Sequence, residues 1–225
     1  MMKEFDLEKV KSILSAIANK NHFFVSEVHF QTEFIIEAAR QFPEYRYYPE
    51  LVPSVVPTSY LAKHGEKGIH FDLLIKTNSQ KVLIEFKYIT NTYADNVDGM
   101  WLEVKSHMAM DIRRYDCWND IERIENFTLS EQSDVNYGYF ILVTNVPALW
   151  NQPGCGTLDA EFHIEEGIHF AGERNWRSGA SKGTTKGREL PIITKQDYNF
   201  VYYDFYNTNH AHGLFKSLVV EIDHK

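Results

Sequence analysis

Cysteine is scarce: Cys117 and Cys155 are the only two in 225 residues, too few for a disulfide framework and without the paired spacing of a zinc site, so both are expected to be reduced structural thiols. Long apolar runs are missing as well. No stretch approaches the roughly 18 residues that a membrane-crossing helix needs. The opening segment "MMKEFDLEKVKSILSAIANK" is amphipathic and charged, unlike a secretion leader. The expectation is therefore no membrane and a cytoplasmic location. Internal repeats and low-complexity tracts are absent too, which excludes a solenoid. Positive charge is in short supply: 23 Lys and Arg stand against 31 Asp and Glu, a net charge of −8. That balance excludes a protein that grips polyanions with its whole surface. It leaves room for a carboxylate-rich site whose negative charge is offset by bound cations, with a local basic patch for phosphates.

What remains is an ordinary globular balance, 44% hydrophobic and 24% charged, over a length that suits one domain spanning 1–225. Leu7, Val10, Leu14 and Ile17 form the apolar stripe of a helix over Asp6 to Lys20. A second helix is expected from the N-cap Ser26 to about Gln41, with Phe34, Ile35, Ala38 and Phe42 facing the core and Pro43 ending the segment. "YRYYPELVP" from Tyr45 is extended, and Pro49 marks it as an edge strand or a bulge. "SVVPTSYLAKHGEKG" reads as a loop, Met108 to Phe127 as a helix and "YGYFILVT" as a buried strand. Later, "NFVYYDFY" and "LFKSLVVEI" read as strands after the Gly, Ser and Thr-rich loop Ser178 to Glu189. Together these elements predict a mixed central sheet flanked by helices.

The stretch "GIHFDLLIKTNSQKVLIEFKYIT" carries the chemistry. A turn at Asn78 and Ser79 makes it a hairpin in which Asp72 directly faces Glu85. Alternation puts Phe71, Leu73, Ile75, Val82, Ile84, Phe86 and Tyr88 on a core-facing side, and His70, Asp72, Leu74, Leu83, Glu85 and Lys87 on the other. Facing carboxylates about 5 Å apart repel by about 3 to 4 kcal/mol at an effective dielectric of 20. A hard divalent cation such as Mg²⁺ or Mn²⁺ resolves that repulsion, because it takes one or two carboxylates together with water and substrate phosphate. Lys87 adds a fixed positive charge on the same side, and the set suits hydrolysis of a phosphodiester. The residues leave one alternative open, a solvated outer face of an antiparallel hairpin.

With Asp72 in "FDLLI", and Glu85, Phe86 and Lys87 in "IEFKY" downstream of a glutamate-bearing helix, the chain resembles the PD-(D/E)XK nuclease superfamily. Phe71 stands where that family often has proline. The order of helix, extended segment, hairpin, helix and strand from Ser26 to Thr144 matches the family's catalytic core. The resemblance implies a restriction-endonuclease-like core over about 26–145, with the helix 6–20 and residues 146–225 packed on it. It further implies a Mg²⁺- or Mn²⁺-dependent endonuclease of restriction, defence or repair type acting on DNA. In it Asp72 and Glu85 would ligate the metal, Lys87 would assist the attacking water, and a homodimer would supply two sites for two strands. Many members add a glutamate from the first core helix. Among Glu27, Glu33 and Glu37, Glu27 is preferred, with Gln31 four residues on as its helper. The family also uses polar residues on the helix after the Glu-x-Lys strand, where Arg114 is the candidate and a surface pair with Asp111 the alternative. A nucleic-acid-binding member without catalysis, or one acting on RNA, is the rival reading.

Arg174, Arg177 and Lys182 lie in a glycine-rich segment with Trp176, the best local polyanion site in an acidic chain, or else a plain surface loop. Ten histidines offer no zinc spacing: His22 and His29 lie seven apart, and His210 and His212 lack partners. His70 is expected at a solvated strand end.

Overall fold

The computed structural model describes residues 2–20, 23–65, 69–97, 99–152, 154, 156–208 and 210–223. His22 and Cys155 lie outside the described residues. The first part of the chain forms α1 (Leu7–Lys20), α2 (Glu27–Gln41), β1 (Arg46–Leu51), α3 (Thr58–His64), β2 (Phe71–Lys76) and β3 (Lys81–Ile89). A second hairpin follows, β4 (Tyr93–Val97) and β5 (Met100–Val104), and then the long α4 (Met110–Thr128) and β6 (Tyr137–Thr144). The last third holds α5 (Pro147–Trp150), β7 (Gly167–His169), β8 (Gly172–Arg174), α6 (Lys182–Thr185), β9 (Ile192–Thr194), β10 (Tyr198–Phe200), β11 (Tyr202–Asn207) and β12 (Leu214–Asp223).

A six-stranded sheet in the order β1-β2-β3-β6-β12-β11 forms the centre. Only β3 and β6 run parallel among its neighbours. That pair needs a long crossover, and α4 supplies it on one face of the sheet. β1 is the edge strand that Pro49 predicts, with Glu50 in a left-handed conformation at φ 50° beside it. Residues 146–225 do more than pack on the core, because β11 and β12 complete the sheet.

Both faces are covered, so the sheet has two cores. Ser26 caps α2 by accepting the His29 N–H at 3.1 Å, and Phe30, Phe34 and Ala38 at four-residue steps then face the sheet. With Val10, Ile13, Leu14 and Ile17 of α1 they cover Leu73, Ile75, Val82, Ile84, Phe86 and Tyr88. On the opposite face α4 lays Cys117, Ile121 and Ile124 over Leu74, Leu83, Phe140 and Leu142. Phe71 departs from the expected alternation: it joins this second core, its ring edge-on to Phe127 at 4.8 Å. The β2–β3 ladder stops at Leu73, and beyond it Phe71 is paired on one side only, with Leu51 of β1 next to the left-handed Glu50. His70 is exposed, as expected of a strand end.

Two segments read as loops contain short helices, α3 and α6. Both are too short for periodicity to reveal. Packing holds α3: Tyr60 lies edge-on to Phe127, and Lys63 Nζ sits 2.5 Å from Glu122 Oε1. α4 is enclosed on both sides, which explains its buried acids. Glu122 accepts the Ile193 N–H, while Glu125 accepts the Lys195 and Gln196 N–H groups and the Tyr198 hydroxyl, so the last third of the chain is pinned to this helix.

Gly138 of β6 sets how closely α4 approaches the sheet. A Cβ there would lie 2.5 Å from Ile124 Cγ2 and 2.7 Å from the Leu83 carbonyl oxygen. Gly138→Ala is therefore predicted to destabilise the protein by about 1–3 kcal/mol through overpacking, read as a lower urea midpoint with an unchanged slope. An unaltered midpoint would show that α4 shifts outward without cost.

Candidate functional site

The β2–β3 ladder pairs Leu73 with Ile84, Leu74 with Leu83, Ile75 with Val82 and Lys76 with Lys81, which is the register of a turn at Asn78 and Ser79. Carried one step further, the same register would set Asp72 opposite Glu85, but the ladder forms no such pair. The ladder ends there because the Asp72 carboxylate takes over: its Oδ2 accepts the Phe86 N–H at 2.7 Å. Gln31 of α2 donates to the Asp72 carbonyl oxygen at 2.5 Å, tying the helix to the strand at this residue. Glu27, in the first turn of the same helix, accepts the Tyr88 N–H through Oε2 at 2.8 Å. Of the three helix glutamates, Glu27 is the one brought to the hairpin. Glu37 is buried against Arg40, Lys20 and Gln41, and Arg40 above all holds its carboxyl down at about 2. Glu33 lies 3.9 Å from His29 on another face of α2.

The charged side of the hairpin is not a solvated outer face. Glu85 is 0% exposed and Asp120, on α4 above it, 5% exposed. Two cations enter from the covering elements and the strand itself. Arg123 of α4 is ion-paired through Nη2 to Glu85 Oε1, and Lys87 Nζ lies 2.7 Å from Asp120 Oδ2. These are close contacts without square alignment: Glu85 Oε1 and Oε2 and Asp120 Oδ2 are all buried with no directed hydrogen bond. The cluster thus gathers the carboxylates of Glu27, Asp72, Glu85 and Asp120 around two cations.

Removal from water dominates the electrostatics. Burial pushes Glu85 well above the ordinary carboxylate range; Arg123 opposes that rise, and Asp120 and Asp72 add to it. Asp72 is raised by burial against the pull of the Phe86 N–H and Lys87, and Glu27 by burial against Lys87. For Lys87, burial works to lower the pKa, yet Asp120, Glu27 and Glu85 outweigh it and hold the ammonium above the usual lysine value. Lys87 is therefore a permanent cation at neutral pH, suited to holding charge rather than removing protons.

Asp120 and Arg123 escaped the sequence reading. Asp120 lies three residues after Cys117 and four before Ile124, so helical spacing already places it on the sheet-facing stripe. The other basic candidates are not gathered here. Arg114 is buried, donating to Asp159 Oδ2 at 2.6 Å and to the Ala148 carbonyl at 2.9 Å, neither a phosphate contact nor a pair with Asp111. Arg174 is buried too: its guanidinium lies 3.6 Å over the Trp118 ring and donates to Thr194, Phe170 and Gly172. Trp176 stacks on Tyr115 and donates to the Arg188 carbonyl, so its face is already covered. Arg177 and Lys182 are exposed.

Among the described residues no set of three or more His, Cys, Asp and Glu side chains is gathered as a metal cage. The residues do fit a cation bound chiefly by water and substrate oxygen. Glu85 Oε2 is a buried carboxylate oxygen without a partner, and Asp72 has one oxygen left after Phe86. Comparison with protein-family models, with curated proteins and with solved structures returns no match.

Two outcomes test this geometry. Arg123→Ala strands Glu85 and should cost about 3–5 kcal/mol in chemical denaturation. The loss should shrink as pH falls toward the raised carboxyl pKa, because protonation removes the uncompensated charge. A pH-independent loss would show that Arg123 acts by packing alone. Asp72→Asn keeps an oxygen for the Phe86 N–H and removes one like charge, so the metal-free protein should melt at the same temperature or higher. A fall of more than about 4 °C, roughly 1 kcal/mol or more at this size, would count against charge crowding.

Proposed function

We propose that the protein is a Mg²⁺- or Mn²⁺-dependent nuclease of the restriction-endonuclease-like fold that hydrolyses phosphodiester bonds in DNA. One observation carries the reading: Glu85 is wholly buried within the electrostatic reach of Asp72, has its pKa driven upward and keeps an oxygen without a hydrogen bond. Folding does not gain from placing acids in this way, and a divalent cation offsets the penalty. Asp72 and Glu85 would hold that cation, which when bound polarises the phosphoryl group and acidifies water.

The chain's own groups supply the rest. Lys87 stays protonated and places positive charge where the phosphate's negative charge grows, while Asp120 fixes the direction of its ammonium. Glu27, anchored by the Tyr88 N–H through Oε2, leaves Oε1 to accept a hydrogen bond from water. Gln31 acts through Asp72, holding that strand residue in place. The Arg123–Glu85 pair favours the rival reading of a binding protein without catalysis, and one assay separates the two.

Purified protein incubated with duplex DNA should cut it in Mg²⁺ or Mn²⁺ and stop when chelator is added. Lys87→Ala should lower the rate by about 100-fold or more while the circular dichroism spectrum is retained, the usual scale for losing an aligned charge. Undiminished cleavage by Lys87→Ala sinks the assigned mechanism. A parallel panel of single-stranded DNA, RNA and small phosphodiesters identifies the preferred polymer.

A further inference from the structure

Beside the acidic cluster opens a cleft of about 170 Å³ whose lining includes Glu27, Lys87, His107, Arg113 and Asp116. Arg113, on the first turn of α4, is half-buried, and its Nε is buried with no hydrogen-bond partner. A guanidinium nitrogen out of water and unbonded is costly unless a ligand completes it. No ion pair to Arg113 occurs among the described residues. Asp116, three residues further along the helix, is held instead by Arg188 through contacts of 2.7 and 3.1 Å.

His107 faces the same cleft with a defined tautomer. Its Nδ1 accepts the Thr90 N–H at 3.0 Å, so the neutral ring carries its proton on Nε2 and has that donor left to give. Burial, and then the charge of Arg113, keep the imidazole below its usual pKa. The cleft thus offers a fork of guanidinium donors, one neutral N–H and the Lys87 ammonium around a small volume. That donor set suits a tetrahedral oxyanion, since guanidinium forks match phosphate oxygens. Two acids share the lining: Glu27, whose Oε2 is turned onto the Tyr88 N–H, and Asp116, which is paired with Arg188.

We propose that Arg113 and His107 bind a phosphate of the nucleic-acid strand, seating it next to Lys87 and the acidic pair. The proposal rests on the nuclease reading for the identity of the strand, while the anion site stands on the cleft itself.

The test measures anisotropy of a labelled DNA duplex with Ca²⁺ in place of Mg²⁺, over a series of salt concentrations. Arg113→Gln should weaken binding by about tenfold and flatten the slope of log affinity against log salt by about one, with Arg113→Lys recovering part of both. His107→Gln should weaken binding less and leave the slope unchanged, because the ring is neutral. Melting temperature and Mn²⁺ binding followed by electron paramagnetic resonance, measured on each variant, report the fold and the acidic pair separately. Unchanged affinity and slope in Arg113→Gln would overturn the proposal. So would Arg113-dependent binding of inorganic phosphate without binding of the duplex, which would make a free phosphate the ligand. Wild-type protein that binds duplex through Arg113 yet neither binds Mn²⁺ nor cleaves would remove the nuclease reading and leave the phosphate site supported.

Discussion

The rest of the structure is arranged around one carboxylate under a helix. Glu85 sits in the middle of the sheet with no exposure, and α4 closes over it bearing Arg123. A lone ionised carboxylate in that position would be far too costly to keep, so the helix that buries the charge must also bring the countercharge. The same helix holds Asp120 against Lys87, and the close approach at Gly138 sets its distance from the strands. Its outer acids, Glu122 and Glu125, accept backbone N–H groups from the last third of the chain. Sheet, crossover helix and C-terminal segment are thereby joined through one element, and the charged cluster lies at its inner face.

That arrangement carries a trade-off. Burial raises the pKa values of Glu27, Asp72 and Glu85 together, and neighbouring acids add to the rise against the pull of Lys87 and Arg123. On the proposed function, protons and divalent cations would compete for the same oxygens. Occupancy by metal should rise with pH, as the groups lose protons above the ordinary carboxylate range. Arg123 plays the part of an internal countercharge that opposes the upward push of burial on Glu85. Lys87 differs: its pairing with Asp120 keeps it charged at every pH at which the protein would act.

Much of this was legible in the sequence, for identifiable reasons. The hairpin register could be read because a polar two-residue turn at Asn78 and Ser79 flanks two alternating runs, and any slip would invert every side chain. The start of α2 was legible from Ser26, whose hydroxyl does what an N-cap does. The covering of the charged face was not, because alternation tells which residues share a side and not what lies over it. Arg114 and Arg174 misled for a related reason. A sequence shows the guanidinium, while Asp159 and Thr194, the partners that occupy it, come from 45 and 20 residues away. Asp120 was hidden in a helix whose two buried sides blur the amphipathic pattern, although its spacing from Cys117 and Ile124 pointed inward.

The central claim is that the buried acids of the hairpin exist to hold a divalent cation. A crystal soaked in Mn²⁺ and measured at the manganese absorption edge tests it most directly. The account predicts one anomalous peak between the Asp72 and Glu85 carboxylates, with Arg123 drawn back from Glu85. A protein that takes up no Mn²⁺ there, with the Arg123–Glu85 pair intact at high metal concentration, would contradict it.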